Sequence, residues 1–233
     1  MSDLTKPTSP STTNDSLTRK HSVSLPALHS RLRNPKVAAE NDPNTKANRI
    51  ALLLDVSGSM AGSKEQSLRD AVASFVTNCN MGDTALALEP FGDGGQNRLA
   101  LTCFQPILLT TVMSLRATGG TPMADAMQYA LSNYSMTRAV LVSDGQPDSE
   151  AAAYACADHY KEAGVPCDCV HIGNDTGGEA CLRRIAETTG GTFIKFTDIA
   201  SFARSFKYLT PAFYAQLTSG NIDAAALGAK ELK

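Results

Sequence analysis

Tryptophan is absent from this chain of 233 residues, and Phe and Tyr bring the aromatic share only to 6%. No run of about 18 consecutive apolar residues occurs, which excludes a membrane-spanning helix. The opening residues, Met-Ser-Asp-Leu-Thr-Lys-Pro-Thr-Ser-Pro, lack the apolar stretch of a secretory signal. A cytoplasmic protein with no membrane partner is therefore expected. Charge of one sign is equally scarce, since 21 Lys and Arg against 23 Asp and Glu leave a formal net charge of −2. That balance gives no global attraction to nucleic acid, and no nucleic-acid partner is expected.

Several kinds of chemistry are missing too. The six cysteines (Cys79, Cys103, Cys156, Cys167, Cys169, Cys181) are scattered through a chain too long to need disulfide staples. Reduced, mostly buried thiols are expected. Cys167-x-Cys169-x-His171 puts two thiols and an imidazole on one side of a strand, but three ligands on a straight strand do not surround a tetrahedral ion, so core packing is the reading. Gly92-Asp-Gly-Gly and Gly177-Gly178 lack the Lys and Ser or Thr of a phosphate-binding loop. Ser57 is not in a hydrolase elbow and has no His near it in sequence. No catalytic residue is assigned, and an enzyme is not expected.

What is present is apolar residue in quantity, 42% of the chain, enough for one sizeable core. Residues 1–47 are rich in Ser, Thr, Pro and Asn, and Lys6, Arg19, Lys20, Arg31, Arg33 and Lys36 outnumber Asp3, Asp15 and Glu40. This composition predicts a flexible, mildly basic N-terminal arm, with an apolar patch at Val23–Leu32 available for docking. From Arg49 apolar runs alternate with amphipathic stretches. Strands are predicted at Ile50–Leu54, Thr84–Phe91, Arg98–Phe104, Ala139–Val142, Val165–Ile172 and Phe193–Phe196. Helices are predicted at Ser63–Cys79, Ile107–Leu115, Pro122–Tyr134, Ser149–Ala163, Glu179–Thr188 and Ile199–Leu217. The glycine turn at 92–95 makes Arg98–Phe104 the return arm of a hairpin.

The implied fold is a doubly wound α/β domain over residues 48–217, with a mostly parallel central sheet, one antiparallel edge strand and helices on both faces. Residues 218–233 are expected to be a mobile or weakly helical tail.

Three segments carry the oxygen chemistry. The first, Asn48 to Met60, reads N-R-I-A-L-L-L-D-V-S-G-S-M, a buried strand that ends by projecting Asp55, Ser57 and Ser59. Thr118-Gly-Gly-Thr121-Pro122 is a tight loop at a helix start, with the Thr121 hydroxyl facing the same crevice. Val140-Leu-Val-Ser-Asp144-Gly145 is a second buried strand ending in a carboxylate. Hard oxygen donors crowded at the C-terminal edge of an open sheet suit a hard cation such as Mg²⁺. Two neighbouring carboxylates also repel and lose solvation on burial unless a cation compensates them. Met60, Met123 and Met127, next to these segments in sequence, read as helix core or rim contacts.

This D-x-S-x-S, T and D set, within an alternating α/β pattern, resembles the von Willebrand factor type A domain and its metal ion-dependent adhesion site. The resemblance spans about Asn48 to Leu217. It implies a metal set of Asp55, Ser57, Ser59, Thr121 and Asp144, some hydroxyls binding directly and the two carboxylates acting largely through waters or hydrogen bonds. It implies Mg²⁺, with Mn²⁺ or Ca²⁺ as the other candidates, and an open coordination position for an Asp or Glu of a protein partner. The expected function is divalent-cation-dependent protein–protein binding, as an adaptor for an ATPase, for example, or a subunit of a larger particle. Two alternatives stand beside it. One is a structural or assembly subunit that makes its contacts through the N-terminal arm. The other is a phosphotransferase of the haloacid dehalogenase type, imitated by Asp55 and by Asp144-Gly-Gln-Pro-Asp148. There Ser57 occupies the place where that chemistry needs a second Asp as general acid.

Overall fold

The computed structural model describes residues 41–92, 94–197, 202, 206 and 230–232. Its centre is β1 (Asn48–Asp55), buried from Ile50 to its end. Such a continuous apolar run forms only where both faces of a sheet are covered. Around it stand β2 (Thr84–Phe91), β3 (Leu99–Thr102), β4 (Arg138–Ser143), β5 (Cys167–Ile172), β6 (Phe193–Phe196) and β7 (Lys230–Leu232). The order across the sheet is β3-β2-β1-β4-β5-β6-β7. β1 pairs in parallel with β2 and β4, and β4–β5–β6 continue in parallel.

Among the described residues five helices cover the sheet: α1 (Ser63–Asn78), α2 (Gln105–Ser114), α3 (Met123–Asn133), α4 (Glu150–Glu162) and α5 (Thr176–Thr189). Side chains alternate along a strand. Ile50, Leu52 and Leu54 accordingly join Leu68, Val72 and Phe75 of α1 and Leu108 and Val112 of α2 in one core. Ala51 and Leu53 join Met123 and Met127 of α3, Tyr160 of α4 and Leu182 and Ile185 of α5 in the other. Burying a leucine of this kind contributes roughly 2 kcal/mol, so β1 is fixed from both sides. Met60, Met123 and Met127 are all fully buried, which makes them core.

The chain runs from β1 to β2 on one side and later inserts β4 on the other. The strand order therefore reverses between β1 and β4, where open α/β sheets leave a crevice beyond their C-terminal ends. The loops after β1, β4 and β5 all emerge at that edge.

The antiparallel edge strand expected from the hairpin is β3, paired through Leu86 with Thr102 and Leu88 with Leu99, and β7 is a second one at the opposite edge. Pro90 lies beyond these pairs, so its missing N–H costs no bond on that side. β5 begins at Cys167 and not Val165, because the Val165 N–H bonds back to Tyr160 and closes α4. α5 begins earlier than its sequence suggests, at Thr176, since the Asp175 carboxylate accepts the Gly178 N–H and caps the helix despite two glycines in its first turn.

The tail does not follow its expectation throughout. Lys230–Leu232 pairs antiparallel with β6 and adds a short strand at the opposite edge of the sheet. Most of the expected helix Ile199–Leu217 and most of the arm lie outside the described residues. Of that helix, Phe202 and Phe206 are described; both are fully buried, with ring centroids 5.8 Å from Phe196 and 5.3 Å from Phe75 respectively. Of the arm, Pro43–Thr45 forms a 3₁₀ turn capped by Asp42, and the Lys46 ammonium donates to the Gly82 carbonyl. All six cysteines are free thiols, and five are buried. No helix among the described residues is long and apolar enough to cross a membrane.

Cys167, Cys169 and His171 are fully buried on β5. Neither ring nitrogen of His171 has a hydrogen-bond partner among the described residues. Burial pushes the imidazole below its usual value, opposed by Glu179 and reinforced by Lys195. A base that titrates lower when folded takes up protons first in the unfolded chain, so its neutral form contributes stability that is complete above about pH 6.5 and is lost as pH falls towards the folded value. Thermal melts should show stability declining from pH 7 to pH 5, with a smaller decline in His171→Leu. Identical pH slopes in both proteins would contradict this.

Candidate metal centre

Asp55 ends β1 with no exposed surface. Its Oδ1 accepts the Ser57 N–H at 2.9 Å, and its Oδ2 accepts the Ser143 hydroxyl at 2.5 Å. The chain then turns through a short 3₁₀ segment, Gly58–Met60, held by Met60, whose side chain is in the core and whose N–H bonds to the Ser57 carbonyl. This turn brings the Ser57 and Ser59 hydroxyls to 3.0 Å from each other. Ser59 in turn donates to Asp144 Oδ1 at 2.8 Å, across 85 positions of sequence. Oxygen atoms from the ends of β1 and β4 thus form one continuous hydrogen-bonded run.

The loop carrying Thr121 is held against the first by its backbone. The Thr118 N–H donates to the Val56 carbonyl at 2.7 Å, and the Gly58 N–H donates to the Gly119 carbonyl at 3.0 Å. Glycine is required where these loops touch. A Cβ on Gly119, whose φ is +73°, would lie 2.3 Å from the Gly92 carbonyl oxygen. One on Gly92, with φ +113°, would lie 2.7 Å from the Ser57 nitrogen and 2.8 Å from the Thr118 oxygen. Asp148 clamps the far side, accepting the Thr121 N–H at 2.9 Å and returning its own N–H to the Thr121 carbonyl at 3.0 Å.

Ser59, Thr121 and Asp144 line one cavity of about 470 Å³ together with Lys64, Gly145, Gln146 and Asp175. Asp55 and Ser57 lie beneath it, almost without exposure. Four of the five residues singled out by sequence therefore belong to one connected oxygen cluster, and Thr121 shares its cavity. The Lys64 ammonium forms an ion pair with Asp144 Oδ2.

Four contributors were not singled out as site residues. Ser143 is the residue before Asp144 in the quoted strand, and its alternation away from Asp144 is the one signal that it faces Asp55. Gly92 was visible only as a turn residue, Asp148 only as the second acid of a different chemistry, and Lys64 only as a polar residue opening a helix.

The donor set fits a hard divalent cation. All candidate ligands are oxygens, two are carboxylates with little access to water, and hydroxyls supply the remainder. Among the described residues no three His, Cys, Asp or Glu side chains converge, so a soft or carboxylate-rich site is not what these atoms build. Burial pushes the Asp55 carboxyl above its usual value; the hydrogen bonds from Ser143 and Ser57 oppose this, and the nearby Asp144 adds to it. Lys64 compensates Asp144, and a cation in the cavity would supply the compensation that the buried Asp55 lacks.

The sequence model of the von Willebrand factor type A domain matches residues 50–207. No curated protein matches the chain. Among solved structures, the conserved hypothetical protein BatB from Bacteroides thetaiotaomicron aligns with a TM-score of 0.59 at 15% identity, over 74% of this chain and 100% of that one. The VWA domain of SpRpn10 aligns at 0.56 and 17%, over 66% of this chain and 94% of that domain. Proximal thread matrix protein 1 from the mussel byssus, in a structure with zinc in its metal ion-dependent adhesion site, aligns at 0.55 and 16%, over 72% of this chain and 48% of that one. At these identities the structures establish a shared fold.

The contact between the 92 and 119 loops yields a direct comparison. Gly119→Ala should cost about 1–3 kcal/mol, because a strained φ is joined by a collision with backbone. Gly164→Ala, with φ +66° and nothing within 4 Å, should cost only the backbone term, about 1 kcal/mol. Equal losses in chemical denaturation would show that the loop contact is not tight.

Proposed function

The chain belongs to the von Willebrand factor type A family, and from that premise we propose that it binds a protein partner in a divalent-cation-dependent manner at the C-terminal edge of its sheet. Asp55, Ser57, Ser59, Thr121 and Asp144 form the metal set in this reading. The observation that carries it is the hydrogen-bonded run from Asp55, through the Ser57 N–H, to the Ser57 and Ser59 hydroxyls and Asp144, beside a cavity that Thr121 also lines. Mg²⁺ is the expected ion, with Mn²⁺ or Ca²⁺ as substitutes; the mussel protein's zinc-occupied site supports the general capacity of this fold for a divalent cation.

Each residue has a part that follows from its chemistry. The hydroxyls of Ser57, Ser59 and Thr121 are neutral donors, so they hold a cation without cancelling its charge. Asp55 and Asp144 supply negative charge, and Asp55 also fixes the loop by accepting the Ser57 N–H. A cation held by these residues would supply the positive charge that an acidic side chain of the partner binds. The 470 Å³ cavity gives that side chain access from solvent.

Binding without turnover is part of the same reading. Asp55, the residue that would serve as nucleophile in a phosphotransferase, has no exposed surface and both oxygens engaged. No substrate phosphorus reaches it without the loop being dismantled. The adaptor role, a cytoplasmic setting and an ATPase or particle subunit as partner are further elements of the proposal, resting on composition and on the resemblance.

The test uses Asp55→Asn, which keeps the shape and removes the buried charge. Because burial disfavours its ionised form, the wild-type carboxylate costs stability at neutral pH in the metal-free protein. The variant should melt at or above the metal-free wild type, while Mg²⁺ raises the melting temperature of the wild type alone. Partner capture should follow the same rule, present in Mg²⁺, absent in EDTA and absent for Asp144→Ala. Melting curves that ignore both EDTA and excess Mg²⁺ would refute the proposal.

A further inference from the structure

Lys64 stands in the first turn of α1, where the helix dipole disfavours a cation. Its ammonium leaves that helix end and reaches Asp144 Oδ2, 80 residues away in sequence. The two partners differ sharply in exposure, the lysine side chain being 41% accessible and the aspartate side chain 3%. Lys64 can therefore return to water at small cost, whereas Asp144 cannot. Asp144 Oδ1 already accepts the Ser59 hydroxyl, so the ammonium covers the other oxygen of the same carboxylate. Both residues line the one cavity.

We infer that Lys64 is a tethered counter-cation, covering Asp144 while the site holds no metal and giving way to solvent when a divalent cation takes that place. The inference rests on the metal reading of the site and adds to it a device internal to the chain. Two positive charges cannot share one carboxylate at contact distance without repulsion, so Lys64 weakens metal affinity while it stabilises the metal-free protein. A long, flexible, strongly hydrated side chain suits this role, since it can withdraw without disturbing α1.

Calorimetric titration with Mg²⁺ and Mn²⁺ of wild type, Lys64→Met, Lys64→Arg and Asp55→Asn tests this. Lys64→Met should bind either metal roughly tenfold more tightly, as expected for removing one positive charge next to the ion. The same variant should melt lower than wild type without metal, and Lys64→Arg should restore both properties towards wild type. In the wild type, labelling of Lys64 by an amine-reactive reagent should rise when Mg²⁺ saturates the site. Wild-type metal binding together with unchanged or weaker affinity in Lys64→Met, or with Lys64 labelling that ignores Mg²⁺, overturns the inference and leaves the metal site standing. If wild type, Lys64→Met and Asp55→Asn all fail to bind either metal, the metal reading itself falls and the inference with it.

Discussion

Asp55 sits at the end of the central strand with no access to water, and three neighbouring elements answer to it. Its charge is costly there, as the upward push on its carboxyl records, and a single N–H and a single hydroxyl offset only part of that cost. The strand that carries it is fixed by leucine and isoleucine packed into cores on both faces, so the carboxylate cannot retreat to solvent. The remaining oxygens of the edge are arranged around this immobile anion: Ser57 through its backbone, Ser59 through Ser57, and Asp144 through Ser59.

The architecture explains why these groups meet. Reversal of strand order between β1 and β4 leaves a crevice at their C-terminal ends, and the two strands deliver their acidic termini to its two sides. Gly92, Gly119 and the backbone bonds between the 56–58 and 118–119 segments then hold the third loop within reach. Rigid packing below and a solvent-facing cavity above suit the proposed binding surface, which would be formed before a partner arrives.

Much of this was legible in the residues. The apolar runs of β1, β4 and β5 announced buried parallel strands, and the amphipathic stretches between them gave α1, α3 and α4 to within a residue or two. The acidic and hydroxyl residues at strand ends pointed to the polar cluster at the sheet edge because strand direction fixes where a terminal side chain emerges. Other features depend on contacts between distant segments and leave no local signal. Lys64 looks like any lysine on a helix until Asp144 is folded beside it, and Gly92 looks like a turn glycine until Gly119 is pressed against it. β7 joins the sheet through two backbone pairings that no hydrophobic period advertises, and the cap by Asp175 overrides the poor helix propensity of Gly177 and Gly178.

Anomalous diffraction from crystals soaked in Mn²⁺ is the most direct measurement of the central claim. The account predicts a single strong manganese peak at the edge of the sheet, within coordinating distance of Ser57, Ser59 and Thr121 hydroxyls and beside Asp144, with Asp55 just below. No peak at that edge at saturating Mn²⁺, or a peak held by other residues, would contradict it.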